Sequence, residues 1–502
     1  MRKLAFTVIP LMFWVAAPAQ DSPWQRYMAD ANQLRAAAKY GEAERSYLAA
    51  IAEAEKLPQP DYSVALSCND LAMLYRLQGK YADAADLYQR ALDIWKRVRG
   101  ADDPQLAATL SNLAALRYAE GKYAEAAPLY EQALAIDQRA LGAGNPQTAS
   151  VMNNLAALYS AQGKYQRAEQ LYRQALQSFE ILFGPDAPDA ASVMNNLAQL
   201  YCALGRDAEA QPLYEKALRI KQQALGPDHV ELVPILSNLA GVNRRRNNLL
   251  HAERLFRRAL AICEAGFPPG HPQTATILLN LGELYAYEGK HSLAEALYRQ
   301  ALASQEKTLG PDSAAVALTL NNVASTLKAA GRLRDAEALY SRALAIMQKV
   351  HGADHPAVAV ECNNLGQILQ REKDYAGAER LYGRAIAVWK RALGPYHPHV
   401  AIATCNLATL FAVQGRNRDA EPLYLSALDI WDNSGQSGEE QHFKCLMNYA
   451  NLLRKAKRKN DASRVEESAK AIRERHEEAL RLAAMTINVH DPGGPDLQTG
   501  TK

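Results

Sequence analysis

The fold is decided by residues 153–172, which read Asn-Asn-Leu-Ala-Ala-Leu-Tyr-Ser-Ala-Gln-Gly-Lys-Tyr-Gln-Arg-Ala-Glu-Gln-Leu-Tyr. The leucines and the tyrosine in the first seven residues have the i, i+3, i+4 spacing of an apolar stripe on one side of a helix. Gly163 follows this stripe, and glycine favours the end of a helix because it accepts a left-handed backbone. A second stripe begins at Ala168 and continues through the leucine and tyrosine that follow it. The segment therefore predicts two helices joined by a tight turn.

The same pattern recurs every 42 residues along most of the chain, with no insertion or deletion. An asparagine column marks the period, and Asp70 takes its place one period before the first asparagine. Two alanine columns and an aromatic column keep the same spacing on the second helix. A period of this length, repeated in register, is typical of a repeat protein built from stacked supersecondary units. The asparagine column consists of Asn112, Asn154, Asn196, Asn238, Asn280, Asn322, Asn364, Asn406 and Asn448.

Successive periods are joined by Gly-x-x-x-Pro segments such as Gly100 to Pro104 and Gly352 to Pro356. Glycine ends one helix and proline at the first helical position opens the next, because that position needs no backbone N–H. Histidines recur just before several of these helices. Equivalent positions in neighbouring helix pairs lie about 10 Å apart, too far to share one zinc ion. We therefore interpret the histidines as parts of the joints: His229, His271, His355 and His397.

The repeat resembles the tetratricopeptide repeat, and its 42-residue period with paired asparagines is similar to the kinesin light chain subtype. The resemblance covers about residues 62–460 and implies an all-α, right-handed superhelical solenoid of about ten to eleven helix pairs. It also implies that the first helix of each pair lines a concave groove. The chain shows no heptad region, so the motor-adaptor role of kinesin light chain is not carried over.

The two ends depart from the repeat. Residues 1–19 combine a basic start, a short apolar run and small residues before Gln20, which predicts a secretory signal peptide. We expect an exported protein, periplasmic or secreted, with no stable membrane insertion after cleavage. The remaining predicted segments are a degenerate N-terminal helix pair at 20–61, nine repeats at 62–441, C-terminal capping helices at 442–485 and a disordered tail at 486–502.

In tetratricopeptide domains the position of the asparagine column donates hydrogen bonds to the backbone of a bound extended peptide. The resemblance thus makes peptide-binding candidates of Asn112, Asn154, Asn196, Asn238, Asn280, Asn322, Asn364 and Asn406. Arg245 and Arg371 lie two helical turns further along the same side, where a guanidinium could pair with a carboxylate. Two alternatives stay open: the asparagines form a ladder that only braces neighbouring repeats, and the arginines are solvated helix ends.

The predicted function is a protein–protein interaction scaffold that holds an extended peptide or protein segment. Its rivals are a purely structural spacer and an enzyme-associated regulatory subunit. Lys and Arg number 57 against 54 Asp and Glu, too balanced to predict nucleic acid as a partner. No catalytic, phosphate-binding or metal-ligand spacing occurs, so we expect no enzyme, cofactor or metal. We expect buried thiols at the six cysteines, of which Cys362 and Cys405 lie in adjacent repeats, one residue out of register.

Overall fold

A computed structural model describes residues 22–37, 39–57, 61–433 and 439–485. The predicted signal peptide and the predicted tail lie outside these residues. The described residues form α-helices and one short 3-10 turn, and successive helices pack against each other in pairs. No described helix combines the length and the apolar character that crossing a bilayer requires. The helices fall into two compact units, Met1–Asn238 and Leu239–Lys502.

Unit 1 contains the first five helix pairs and the beginning of α11. The 3-10 turn Val230–Leu232 precedes α11. The helices are α1 Pro23–Ala36, α2 Tyr40–Ala54, α3 Asp61–Leu77, α4 Tyr81–Arg99, α5 Pro104–Ala119, α6 Tyr123–Ala140, α7 Pro146–Ala161, α8 Tyr165–Phe183, α9 Pro188–Ala203, α10 Asp207–Leu225 and α11 Val233–Arg245.

Unit 2 contains the remainder of α11 and the helices that follow it. The last pair begins at Glu439, three residues before the segment that the sequence assigns to the capping helices. The helices are α12 Leu249–Gly266, α13 Pro272–Tyr287, α14 His291–Leu309, α15 Ala314–Ala329, α16 Leu333–His351, α17 Pro356–Arg371, α18 Tyr375–Leu393, α19 Pro398–Val413, α20 Asn417–Asn433, α21 Glu439–Lys455 and α22 Lys459–Met485.

The turns within and between pairs follow the local sequence. Gly163 has φ 75° at the turn between α7 and α8, a left-handed backbone that glycine adopts without steric cost. Asn247 and Lys373 take the same conformation where the repeat lacks its glycine. Proline opens many of the first helices, as in α5 and α7, at the position predicted from the Gly-x-x-x-Pro joints. The predicted all-α fold of helix pairs is confirmed.

The core of each unit runs as a strip along the stacked pairs. The alanines of the second helix, such as Ala168 and Ala175, are fully buried and let neighbouring helices approach closely. The aromatic column fills the space between them, and its members are at most 3% exposed: Tyr88, Tyr130, Tyr172, Tyr214, Phe256, Tyr298, Tyr340, Tyr382 and Tyr424. Burying each of these side chains stabilises the fold by roughly 1.5–3 kcal/mol.

Candidate functional site

The first-helix face is defined here as the side of the odd-numbered helices from α3 to α21 on which the asparagine column lies. Odd-numbered helices of neighbouring pairs contact one another, as α5 contacts α7 in unit 1 and α17 contacts α19 in unit 2. The side chains at this contact decide whether the face is closed by internal hydrogen bonds or open to a ligand.

In unit 1 the asparagines form a ladder from one repeat to the next. Asn112 donates from Nδ2 to Oδ1 of Asn69 at 3.0 Å. The same bond joins Asn196 to Asn153 at 3.0 Å. Each donor bonds the residue 43 positions earlier, which is the first asparagine of the pair in the preceding repeat. Asn112 and Asn196 are 7% and 0% exposed, so the hydrogen bonds of the ladder occupy amide groups that are buried.

Neighbouring asparagines in unit 1 also bond within a pair. Asn153 donates from Nδ2 to Oδ1 of Asn154 at 3.2 Å, and Asn195 donates in the same way to Asn196 at 3.3 Å. Asn154 is only 3% exposed. An amide both donates and accepts, so the paired asparagines can continue a chain of hydrogen bonds through a buried interface.

In unit 2 the donors of the ladder are more accessible. Asn364 donates from Nδ2 to Oδ1 of Asn321 at 3.1 Å, and Asn406 donates to Asn363 at 2.9 Å. Both donors are half-buried rather than buried. The bracing alternative raised by the sequence is therefore realised in both units, but only unit 1 buries most of the ladder.

Asn322 interrupts the ladder. The residue 43 positions before it is Leu279, which offers no acceptor. The Asn322 side chain is exposed and has no hydrogen-bond partner within the described residues. On the same side of α15, Leu318 is 57% exposed and Ser325 is exposed. This row of α15 is open to a ligand.

Two cations lie next to this open row. Lys328, on α15, donates from Nζ to Oε1 of Gln367 at 3.0 Å. Burial, and then the positive charge of Arg371, lower the pKa of Lys328. Within the described residues no carboxylate forms a salt bridge with either cation. Two neighbouring positive groups without a carboxylate partner among the described residues favour the binding of an anion.

The basic cluster at the end of α11 differs from this pair. Arg244 lies 3.6 Å from the carboxylate of Glu283, so part of its charge is balanced within unit 2. Arg245 is exposed, and it has further contacts in the structure.

Comparison with known proteins identifies the family to which the chain belongs. A tetratricopeptide repeat model matches successive segments from residue 31 to residue 433: 31–97, 63–139, 105–181, 189–265, 235–307, 273–349, 315–360 and 361–433. A second tetratricopeptide repeat model matches 153–224. The chain belongs to the tetratricopeptide repeat family. No curated protein matches it at a significant level.

Among solved structures, BtubC from P. vanneervenii is 29% identical, with 50% of this chain and 95% of that chain covered and a TM-score of 0.39. A Podospora anserina protein of the kinesin light chain type is 24% identical, with 41% and 98% covered and a TM-score of 0.38. PilW, a type IV pilus biogenesis factor, is 23% identical, with 51% and 97% covered and a TM-score of 0.38.

The tetratricopeptide joints use the histidines as helix caps. Nδ1 of His271 accepts a hydrogen bond from the backbone N–H of Gln273 at 3.2 Å, and His355 and His397 act in the same way. His229 caps the 3-10 turn. Asp103 and Asn145 occupy the equivalent place in unit 1. The interpretation of the histidines as parts of the joints is confirmed.

Buried acids are a feature that the sequence analysis missed. Asp137 is fully buried, and burial raises its pKa to about 7 although Gln147 donates to its Oδ1. Glu361 is 1% exposed, and burial raises its pKa to about 8. Its repeat position holds Val151 and Val193 in unit 1, and this departure from the column is the signal that could have revealed it.

The six cysteines are free thiols, and five of them are buried as expected, whereas Cys202 is half-buried. Cys362 and Cys405, the pair considered from the sequence, pack in different clusters of the core. Cys405 packs instead with Cys445, which the sequence analysis did not single out.

Proposed function

We propose that this tetratricopeptide protein holds an extended, acidic peptide segment on the first-helix face of unit 2. The repeats themselves support a role as a protein–protein interaction scaffold. The finer proposal concerns which repeats contact the peptide and which chemical groups they recognise.

The proposal rests mainly on Asn322. Its side-chain amide is exposed and has no hydrogen-bond partner among the described residues. The amides of Asn112 and Asn196, by contrast, are buried and hydrogen-bonded in the ladder. A side-chain amide can donate to a peptide carbonyl and accept from a peptide N–H, whatever the peptide's own side chains are. The open row on α15 therefore offers a contact to peptide backbone that the closed rows of unit 1 do not offer.

The acidic character of the peptide follows from Lys328 and Arg371. Burial, and then the charge of Arg371, lower the pKa of Lys328, and a carboxylate placed between these cations would favour the charged form of the lysine. Arg371 is exposed at the end of α17, so its guanidinium can form a bidentate pair with an aspartate, a glutamate or a chain terminus. Exposed Leu318 adds an apolar contact on the same row.

Unit 1 favours the second candidate function, that of a structural spacer. Its asparagines are bonded to each other. The residues three positions after Asn112, Asn154 and Asn196 on the same side of the helices are at most 3% exposed: Ala115, Ala157 and Gln199. We infer that unit 1 mainly provides a stiff support. The proposal of export rests on the basic, apolar and small-residue pattern of residues 1–19.

Fluorescence anisotropy with a labelled peptide of alternating serine and aspartate tests the proposal on the full chain. We expect Arg371→Gln to weaken binding by about tenfold or more, because a charged hydrogen bond contributes about 1.5–3 kcal/mol. Asn322→Ala should weaken binding by roughly three- to tenfold. Raising the salt concentration should weaken the wild-type complex and reduce the difference caused by Arg371→Gln.

Arg380→Gln is the matched control, since Arg380 is exposed on the second helix α18 and the change removes the same charge. A peptide of alternating serine and lysine controls for non-specific association. Equal affinity of the wild type and the Asn322→Ala, Arg371→Gln double variant would contradict the proposal and favour the spacer. A photoreactive residue at exposed Ser325 would then serve to map where a natural partner lies.

A further inference from the structure

The asparagine ladder ends differently at the last helix pair. Asn448 is the next donor of the column, and the position 43 residues before it is Cys405 instead of asparagine. Asn448 donates from Nδ2 to Oγ1 of Thr409 at 3.3 Å, one helical turn further along α19. Thr409 also accepts from the hydroxyl of Tyr424 at 3.0 Å. These bonds fix α21 against α19 one turn away from Cys405.

Cys405 faces a second thiol at this contact. Cys445 lies three residues before Asn448 on α21, in the buried cluster that also contains Cys405. Cys405 is 7% exposed and Cys445 is fully buried. The two thiols contact each other, and this contact, followed by burial, raises the pKa of Cys445. The other members of the cluster that are close in sequence, such as Ala408 and Tyr449, are apolar or aromatic.

We propose that Cys405 and Cys445 form a disulfide that fastens the terminal helix pair, α21 and α22, to α19. The two cysteines lie on first helices of neighbouring repeats, so the bond would take the place of the missing step of the asparagine ladder. Cys362, in the preceding repeat, packs in a separate cluster and has no thiol neighbour there.

The oxidant is a small external disulfide such as oxidised glutathione. One protein thiolate attacks it and releases one molecule of the reduced thiol, which leaves a mixed disulfide on the protein. The second cysteine then attacks the protein sulfur of the mixed disulfide and releases the other reduced thiol. In total, the two cysteines lose two protons and two electrons, and the external disulfide gains them.

The high pKa of buried Cys445 makes its thiolate scarce in the packed state. We therefore expect the exchange to occur while the terminal pair is still open, during folding. Closing the segment between residues 405 and 445 would constrain the unfolded chain and so hold α21 in place. A terminal repeat packs against a neighbour on one side only, so a covalent bond to that neighbour stabilises it more than it would stabilise an internal repeat.

The test refolds the full chain from urea in reduced and oxidised glutathione, and a parallel sample in dithiothreitol. After alkylation in denaturant, the oxidised sample should show four alkylated cysteines, and proteolysis should yield one linked peptide that contains Cys405 and Cys445. Hydrogen exchange of α21 should be slower than in the reduced sample by about tenfold or more. Cys362→Ser is the matched control and should keep the linked peptide, whereas Cys445→Ser should lose it.

Six alkylated cysteines in the oxidised wild type would overturn the proposal. A linked peptide that joins any other two cysteines would also overturn it. These readouts come from the unmodified chain, so they do not depend on how well the variants fold. They are also independent of peptide binding at Asn322 and Arg371, whose failure would leave the disulfide unaffected.

Discussion

The two units place the same asparagine column in different surroundings. In unit 1, Asn112 and Asn196 bond an asparagine 43 residues earlier and are buried. In unit 2, the residue 43 positions before Asn322 is Leu279, and the exposed Asn322 side chain has no hydrogen-bond partner among the described residues. The role of each asparagine is therefore set by the residue that precedes the column in the neighbouring repeat. One repeated position can brace the fold in one unit and be available for binding in the other.

A second difference concerns the residues that begin the first helices. Unit 1 uses Asp103 and Asn145 as helix caps and has one capping histidine, His229, before the 3-10 turn, whereas unit 2 uses His271, His355 and His397. A carboxylate or amide oxygen accepts a hydrogen bond throughout the neutral and mildly acidic range, but Nδ1 of histidine accepts only when it is unprotonated. The stability of unit 2 should therefore depend more strongly on mildly acidic pH.

The largest expected effect comes from Glu361, a buried acid at a repeat position that holds Val151 and Val193 in two repeats of unit 1. Burial raises its pKa from 4.5 to about 8, so the folded state binds a proton that the unfolded state releases. The free energy of unfolding therefore falls as the pH rises from about 4.5 to 8. Glu361→Val should stabilise unit 2 at pH 8 by an amount on the order of 4 kcal/mol and remove this dependence.

Urea unfolding of the wild type and of Glu361→Val at pH 5 and pH 8 measures this effect. Glu361→Gln is the control, since it removes the charge but keeps the polar side chain. It should flatten the pH dependence with a smaller gain in stability. An unchanged pH dependence in both variants would show that Glu361 ionises in the folded state as easily as in the unfolded chain.

The next effect concerns the ladder itself. Asn196→Ala removes the donor to Asn153 and the acceptor of Asn195, and so breaks two hydrogen bonds in a buried contact. We expect a loss of about 2–4 kcal/mol, since breaking a buried hydrogen bond by removing one partner costs roughly 1–3 kcal/mol. Asn322→Ala, the same substitution at the open row, should change stability by less than about 0.5 kcal/mol. Thermal unfolding of both variants measures the difference, and equal losses would remove the distinction between the two units.

The smallest effect per residue concerns the histidine caps. Burial lowers the pKa of His271, His355 and His397, so the folded state favours the neutral form. The stability that this form provides is present above pH 6.5, the ordinary histidine pKa, and is lost as the pH falls below it. Replacing all three by Asn, the cap of α7, should preserve stability at pH 7.5 and raise it at pH 5.5 by about 0.5–2 kcal/mol per cap. Hydrogen exchange at the first turns of α13, α17 and α19 measures it, and the wild-type chain should lose protection there at pH 5.5.

Most of the fold follows from local sequence. The i, i+3, i+4 stripes, the turn glycines and the prolines at first helical positions act within a few residues, and each occurs where the structure has the corresponding helix or turn. The division into two units was not predicted from the repeat, because the period continues unchanged across Asn238 and Leu239. For the candidate site, the sequence predicted the asparagine column but not which of its asparagines are exposed, since the members of the column look equivalent in sequence.

By itself, the sequence determined that the chain consists of helix pairs, where the turn glycines and the helix-opening prolines of the repeats lie, and that asparagines lie on one side of the first helices. Only the tertiary structure decided which asparagines form a hydrogen bond to a residue 43 positions away, that Lys328 is partly buried near Arg371, and that Cys405 contacts Cys445. The reason is physical: helix formation and capping depend on neighbours within one or two turns, whereas exposure, charge and thiol contact depend on side chains from separate repeats.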